Sequence, residues 1–151
     1  MTIYFDASAL VKRYVNELGS AEVAAAFVQA TVKATGMASG AEVPAALAKG
    51  VRTARLTPTE AGTALQDFWR HWPSFAKVTL DDGVVRRAGE LAWRLGLRGY
   101  DAIHLASALQ VAALTSNALT VATFDEQLWK AAGQVGLAVM PANLGPFLGR
   151  Q

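Results

Sequence analysis

The sequence has no cysteine, which excludes disulfides, thiolate metal sites and a cysteine nucleophile, and nothing in it points to an oxidising compartment. Excess charge is nearly absent. Fourteen Lys and Arg against 12 Asp and Glu give a formal net charge of +2, too little for bulk basicity to argue for nucleic acid. No basic stretch followed by an apolar run precedes Asp6, so no signal peptide is expected and a cytoplasmic address follows by default. A clean membrane span is missing as well. Ala102 to Phe124 carries no Asp, Glu, Lys or Arg, but His104, Ser107, Gln110, Thr120 and Thr123 interrupt it, and Thr115-Ser116-Asn117 reads as a turn between a buried helix and a buried strand. No repeat, low-complexity tract or linker is present. What remains is 151 residues, 52% hydrophobic and 17% charged, which is the size and composition of one domain over residues 1–151. Pro141 to Gln151, rich in Gly and Pro, reads as a loosely packed tail.

Short apolar runs alternate with helical spacing along the chain. Ile3-Tyr4-Phe5 is a strand that stops at Asp6 and feeds a helix carrying Ala9, Leu10, Arg13 and Tyr14. Gly19-Ser20 opens a second helix whose apolar stripe runs to about Ala34, and Thr35 to Ala38 reads as a small buried strand. Ser39 can cap a third helix running to about Arg55, with Glu42 in its first turn. Thr57-Pro58-Thr59-Glu60 is a capping box with proline at the first helical position, and that helix carries Phe68, Trp69 and Trp72 before Pro73 ends it. Phe75 to Leu80 alternates as a strand. Asp81 or Asp82 caps a helix that Gly96 can end, and a very apolar helix spans about Tyr100 to Leu114. Ala118 to Phe124 is a buried strand, Asp125 to Ala132 a helix, and Leu137 to Met140 a closing strand. Such alternation implies an α/β fold, a parallel sheet covered by helices on both faces.

The acidic residues sort by surroundings. Glu17, Glu22, Asp67, Glu90 and Glu126 lie on amphipathic helices, and Glu60, Asp81 and Asp82 have capping explanations. Asp6, Glu42, Asp101 and Asp125 instead stand beside apolar segments, where an unpaired charge costs several kcal/mol, on the order of a whole ion's desolvation. Asp6 and Asp125 directly follow strands, at the edge where parallel sheets form their binding crevice. Asp101 and Glu42 sit near helix N-termini, which favour the ionised form. Taken singly, Asp101 and Asp125 are equally well explained as helix caps. If all four meet, their repulsion calls for a cation, and an oxygen-only donor set selects a hard ion such as Mg2+ or Mn2+.

Four segments carry a resemblance: Tyr4-Phe5-Asp6-Ala7-Ser8-Ala9-Leu10-Val11-Lys12, Ala41-Glu42-Val43, Tyr100-Asp101-Ala102-Ile103-His104-Leu105-Ala106-Ser107-Ala108 and Thr123-Phe124-Asp125-Glu126-Gln127-Leu128. In order and spacing the chain resembles PIN-domain ribonucleases, most closely the VapC toxins of toxin–antitoxin pairs, from Ile3 to about Val139. The resemblance implies a three-layer α/β/α fold and a metal-dependent endoribonuclease whose acidic pocket binds Mg2+ or Mn2+. It puts Asp6, Glu42, Asp101 and Asp125 on the family's acidic positions, with Ser8 and Thr123 where a hydroxyl often stands near the metal. It further implies cleavage by metal-activated water to a 5′-phosphate and a 3′-hydroxyl, a cognate VapB-type antitoxin and a homodimer. Pro44, two residues after Glu42, departs from the family pattern; proline fits a first helical turn and is read as shifting the helix start.

Other residues admit blander readings. His104 shares a helical face with Asp101 and could be a ligand or proton carrier, although a satisfied core or rim histidine is the commoner case. Lys12, Arg13 and Arg98, close in sequence to Asp6 and Asp101, are the basic residues best sited to meet RNA phosphates. The Phe68, Trp69 and Trp72 stripe reads as core first and as an antitoxin groove second. Two rivals remain: a non-catalytic acidic-pocket binding module, and a HAD-type phosphatase, which would need an acid where Ser8 stands.

Overall fold

Among the described residues, five short runs pair side by side, all parallel, in the order β3-β2-β1-β4-β5, and seven helices cover the resulting sheet. The computed structural model describes residues 1–116 and 118–149. Asn117, in the expected turn, and Arg150 and Gln151, at the end of the expected tail, lie outside the described residues. The strands are β1 (Thr2–Phe5), β2 (Val32–Gly36), β3 (Ala76–Val78), β4 (Leu119–Ala122) and β5 (Ala138–Met140). The helices are α1 (Ala7–Tyr14), α2 (Ser20–Gln29), α3 (Ser39–Arg52), α4 (Pro58–His71), α5 (Asp82–Leu95), α6 (Gly99–Leu114) and α7 (Glu126–Gln134).

Strand alternation divides the core between two faces. Ile3 and Phe5 point into one apolar cluster with Leu10, Val23, Val43, Leu47 and Phe68, beneath α1 to α4. Tyr4 points the other way, into a cluster with Leu91, Leu105, Val121 and Leu128 beneath α5, α6 and α7. The architecture is therefore the three-layer α/β/α arrangement, with α6 packed against the sheet. Its low amphipathicity follows from that position: Ala102, His104, Leu105, Ser107, Ala108, Val111 and Ala112 are all buried on it. Among the described residues, no helix is long and apolar enough to cross a membrane.

Several local signals act as their chemistry requires. Thr57 accepts a hydrogen bond from the Glu60 backbone N–H at 3.1 Å, and Glu60 accepts from the Thr57 N–H at 2.8 Å. Asp81 caps α5 by accepting from Val84 N–H at 2.9 Å, and Gly96 ends that helix at φ 69°.

Elsewhere, tertiary pairing overrides the local pattern. The α2 stripe stops at Gln29 instead of reaching Ala34, because Val32, Lys33 and Ala34 align with Thr2, Ile3 and Tyr4. β2 consequently starts earlier than expected, while β3 is shorter than the run from Phe75 to Leu80. Ser39 does not cap α3; its hydroxyl is buried and shares a 2.8 Å hydrogen bond with Thr35. Nor does Pro44 shift the start of α3, which begins at Ser39 and carries Pro44 inside it. The Phe68, Trp69 and Trp72 stripe is core at Phe68, while Trp69 is exposed. The segment after Pro141 is anchored: Trp129 donates to the Pro141 carbonyl at 2.7 Å, Leu144 is buried and Phe147 packs edge-on against Phe124.

The α4 cap lies on the exposed surface, so Thr57→Ala should lower stability by about 1 kcal/mol. That corresponds to a melting temperature about 2–4 °C lower for a chain of this size, measurable by calorimetry. Unchanged melting would show that the box contributes nothing.

Candidate active site

The order of the sheet fixes where polar groups can gather. β1 lies between β2 and β4, so chain connections leave its carboxyl end in opposite directions and open a crevice there. Asp6 follows β1 and caps α1, accepting from Ala9 N–H at 2.9 Å. Thr123 and Asp125 follow β4, and Asp125 caps α7, accepting from Leu128 N–H at 2.9 Å. Asp101 stands in the first turn of α6 and Glu42 in the early part of α3. These four carboxylates, with Ser8, Arg98 and His104, line one open cavity of about 420 Å³.

Asp6 is the deepest carboxylate, 4% exposed. Both of its oxygens are within reach of the Ser8 hydroxyl, at 2.7 and 2.9 Å, and one accepts from Thr123 Oγ1 at 2.7 Å. The two hydroxyls are themselves tied to the chain after β4. Ser8 Oγ accepts from Phe124 N–H at 2.9 Å, and Thr123 Oγ1 accepts from Asp125 N–H at 3.1 Å. Ser8 and Thr123 thus hold Asp6 in orientation and join the ends of β1 and β4. Ser8 also fills the position at which the phosphatase alternative requires an acid.

Arg98 bridges two of the other carboxylates, with Nε 2.9 Å from Asp101 and Nη2 2.7 Å from Asp125. Its side chain is 74% exposed, so the guanidinium lies across the mouth of the cavity. Asp6 and Glu42 have no lysine or arginine partner among the described residues. Glu42 is instead held by His104, whose Nε2 lies 2.7 Å from its Oε1. On its other side His104 Nδ1 meets the Tyr4 hydroxyl at 2.8 Å.

Burial and these contacts shift the pKa of three of the groups. Burial pushes the Asp6 carboxyl above its ordinary range, against the opposing pull of His104, Thr123, Ala9 and Ser8. Burial also raises Asp101, aided by the charge of Asp125 and opposed by Arg98. For His104, burial disfavours the charged ring, but the bond to Glu42 and the fields of Asp6, Glu42 and Asp101 outweigh it and raise its pKa.

The basic residues divide. Arg98 is at the cavity. Lys12 lies one helical turn beyond Ser8 and lines a neighbouring cavity of about 540 Å³ that shares Ser8 with the first. There it pairs with Glu17 at 3.0 Å and sits 4.7 Å from the centre of the Phe124 ring. That packing depends on Gly19: at φ 96°, an added Cβ would come within 2.6 Å of Phe124. Arg13 is not at the site. One residue on from Lys12 it is turned about 100° around α1, and it lines a separate cavity with Phe27, Lys33 and His71. Tyr4 is the contributor that sequence reasoning missed. A tyrosine in a buried strand reads as core, and only its register beneath α6 reveals a polar task.

Among the described residues no three acidic or histidine side chains stand close enough together to hold a metal ion as they are placed. The donor set nevertheless fits a hard divalent ion: carboxylate oxygens from four elements line an open cavity, and the desolvated Asp6 has no lysine or arginine partner among the described residues.

Comparison with known proteins agrees with this architecture. The family model described as "PIN domain" matches residues 3–134. Ribonuclease VapC45 and ribonuclease VapC49, both from Mycobacterium tuberculosis, are each 39% identical over 144 residues, covering 95% of this chain and 98% of the relative. Among solved structures, FitAcB from Neisseria gonorrhoeae superposes with a TM-score of 0.65 at 20% identity, covering 93% of this chain and 97% of the other. PAE2754 from Pyrobaculum aerophilum gives 0.63 at 23% identity, covering 92% and 83%. A toxin–antitoxin complex from Klebsiella pneumoniae gives 0.63 at 18% identity, covering 93% and 98%. With its three-layer α/β/α fold and the crevice at the ends of β1 and β4, the chain belongs to the PIN-domain family, among relatives of the VapC type.

Proposed function

We propose that this protein is a metal-dependent endoribonuclease, the toxin of a VapBC-type pair, whose site consists of Asp6, Glu42, Asp101 and Asp125. One observation carries the reading: four carboxylates from four different elements line a single open cavity, with one exposed arginine to balance them. The ribonuclease name of the two mycobacterial relatives, at 39% identity over nearly the whole chain, supports the substrate class. The same family membership supports a VapB-type antitoxin as partner, a homodimer as assembly and work in the cytoplasm, where RNA is met.

Asp6, Asp101, Asp125 and Glu42 would hold Mg2+ or Mn2+. Bound there, the ion would make water a better nucleophile at neutral pH and offset charge growing on the phosphoryl oxygens. The remaining work falls to the chain. Asp6 keeps a fixed direction because Ser8, Thr123 and the Ala9 N–H occupy its outer lone pairs. Arg98 can exchange its carboxylate contacts for phosphate oxygens as RNA enters, since an exposed guanidinium moves at little cost and favours bidentate contact with phosphate. Lys12, on the adjoining cavity, extends positive charge along a path for the strand. Arg13 lines a separate cavity and is not part of this path.

RNA cleavage should therefore require Mg2+ or Mn2+, stop on addition of a chelator, and fall about a hundredfold or more in Asp6→Asn and Asp101→Asn, in line with the loss of one strong electrostatic group. Melting curves should show both variants folded. Equal cleavage by wild type and both variants would remove these residues from the reaction. Thr123→Val should separate orientation from ligation. It strips Asp6 of one donor and leaves the Asp125 N–H unpaired, lowering stability by about 1–3 kcal/mol and cleavage along with it. Wild-type activity in that variant would show that the hydroxyl does not orient Asp6.

A further inference from the structure

We propose that Tyr4 and His104 form a buried hydrogen-bonded relay that orients Glu42, making both of them positioning residues for the acidic site. This rests on the reading of that site as a metal-binding centre.

Glu42 is the carboxylate least supported by its own backbone. Asp6 and Asp125 cap the helices that follow them, and Asp101 is held by Arg98 across one helical turn. Glu42 lies in the first turn of α3 but caps nothing there, on a side chain with three rotatable bonds, and 29% of it is exposed. Its carboxylate meets His104 Nε2 at 2.7 Å, and His104 is 3% exposed, set into the floor of the cavity from α6. A carboxylate accepts and cannot donate, so Nε2 carries the hydrogen whichever protonation state the ring adopts. The direction of that bond is thereby set.

The imidazole needs a second anchor to stop it turning about its own bonds, and Tyr4 supplies one. Its ring is fully buried, its hydroxyl is 2.8 Å from Nδ1, and the two rings meet edge to face at 5.9 Å. The room for that hydroxyl is made by Gly36 of β2, where an added Cβ would lie 2.9 Å from the Tyr4 oxygen. A buried phenol and a buried imidazole would each be costly if unpaired. Here the two satisfy one another, and the free end of the chain is the Glu42 carboxylate at the cavity. The β1 strand is thus connected to the longest of the four acidic side chains by two short bonds. Partners behind a metal ligand, in other sites, change metal affinity or activity by about 10–100-fold when removed.

The test uses the full chain and Mn2+ as probe, with binding followed by calorimetry or by the electron paramagnetic resonance of free Mn2+, alongside cleavage of one RNA oligonucleotide. His104→Leu removes the donor, His104→Gln keeps an N–H near the Nε2 position, and Tyr4→Phe removes only the second anchor. We expect His104→Leu to weaken Mn2+ binding by about 10–100-fold. Binding by His104→Gln should recover to within about threefold of wild type, and Tyr4→Phe should fall between them by the same logic. A merely structural histidine would leave Gln no better than Leu once melting temperatures are matched. If His104→Leu is unfolded, the conservative pair decides: wild-type Mn2+ affinity in Tyr4→Phe, or none recovered in His104→Gln, overturns the relay. Folded His104→Leu with wild-type binding overturns it too, while leaving the acidic site intact. Failure of the wild-type protein itself to bind Mn2+ or to cleave would instead bring down the reading of the site, and the relay's purpose with it.

Discussion

The structure is organised around the repulsion of like charges at one end of a parallel sheet. Four carboxylates approach one another where water is partly excluded, and each is stabilised in a different way. Asp6 takes hydroxyls and a helix N-terminal N–H, Asp125 a second helix N-terminus, Asp101 and Asp125 share an exposed guanidinium, and Glu42 leans on a buried imidazole. Rigid secondary structure is needed for this, because flexible side chains would relax the repulsion by moving apart. Burial raises the pKa of Asp6 and Asp101, and at Asp101 the charge of Asp125 adds to it.

The sheet order explains how a chain of this length concentrates so much charge. The β1 and β4 strands are neighbours although they are far apart in sequence, so Asp6, Ser8, Thr123 and Asp125 are brought together by one strand pairing. Helix α6 then crosses the same end and delivers Asp101 at its start and His104 one turn later. Most of the remaining chain serves to bury the two faces of that sheet. Cap and site are not competing explanations here: Asp6 and Asp125 each use one oxygen for the helix, and the other accepts from Thr123 in Asp6 and from Arg98 in Asp125.

Much of this was legible in the residues. Alternating apolar runs disclosed the α/β class, and Thr57, Asp81 and Gly96 marked helix ends through local chemistry that acts without distant partners. The four carboxylates stood out because apolar neighbours leave a charge unexplained. What stayed hidden depended on pairing across the fold. Local periodicity carried α2 past Gln29, since Val32 and Ala34 are as compatible with a helix as with the strand that β1 recruits. Ser39 resembled a cap until Thr35 offered its hydroxyl a buried partner. Arg13 was grouped with Lys12 by nearness in sequence, although a single helical step turns it to another face. Tyr4 and His104, a hundred residues apart in the chain, form a pair that no spacing rule could have suggested.

The proposed function stands or falls with a divalent cation in the cavity between Asp6, Glu42, Asp101 and Asp125. Crystals of the protein grown with Mn2+ and measured at a wavelength where manganese scatters anomalously test it most directly. A peak in that cavity, in direct contact with carboxylate oxygens of Asp6 and Asp101, is the predicted result. A map with no peak there, with Arg98 still bridging Asp101 and Asp125 at saturating Mn2+, would contradict it.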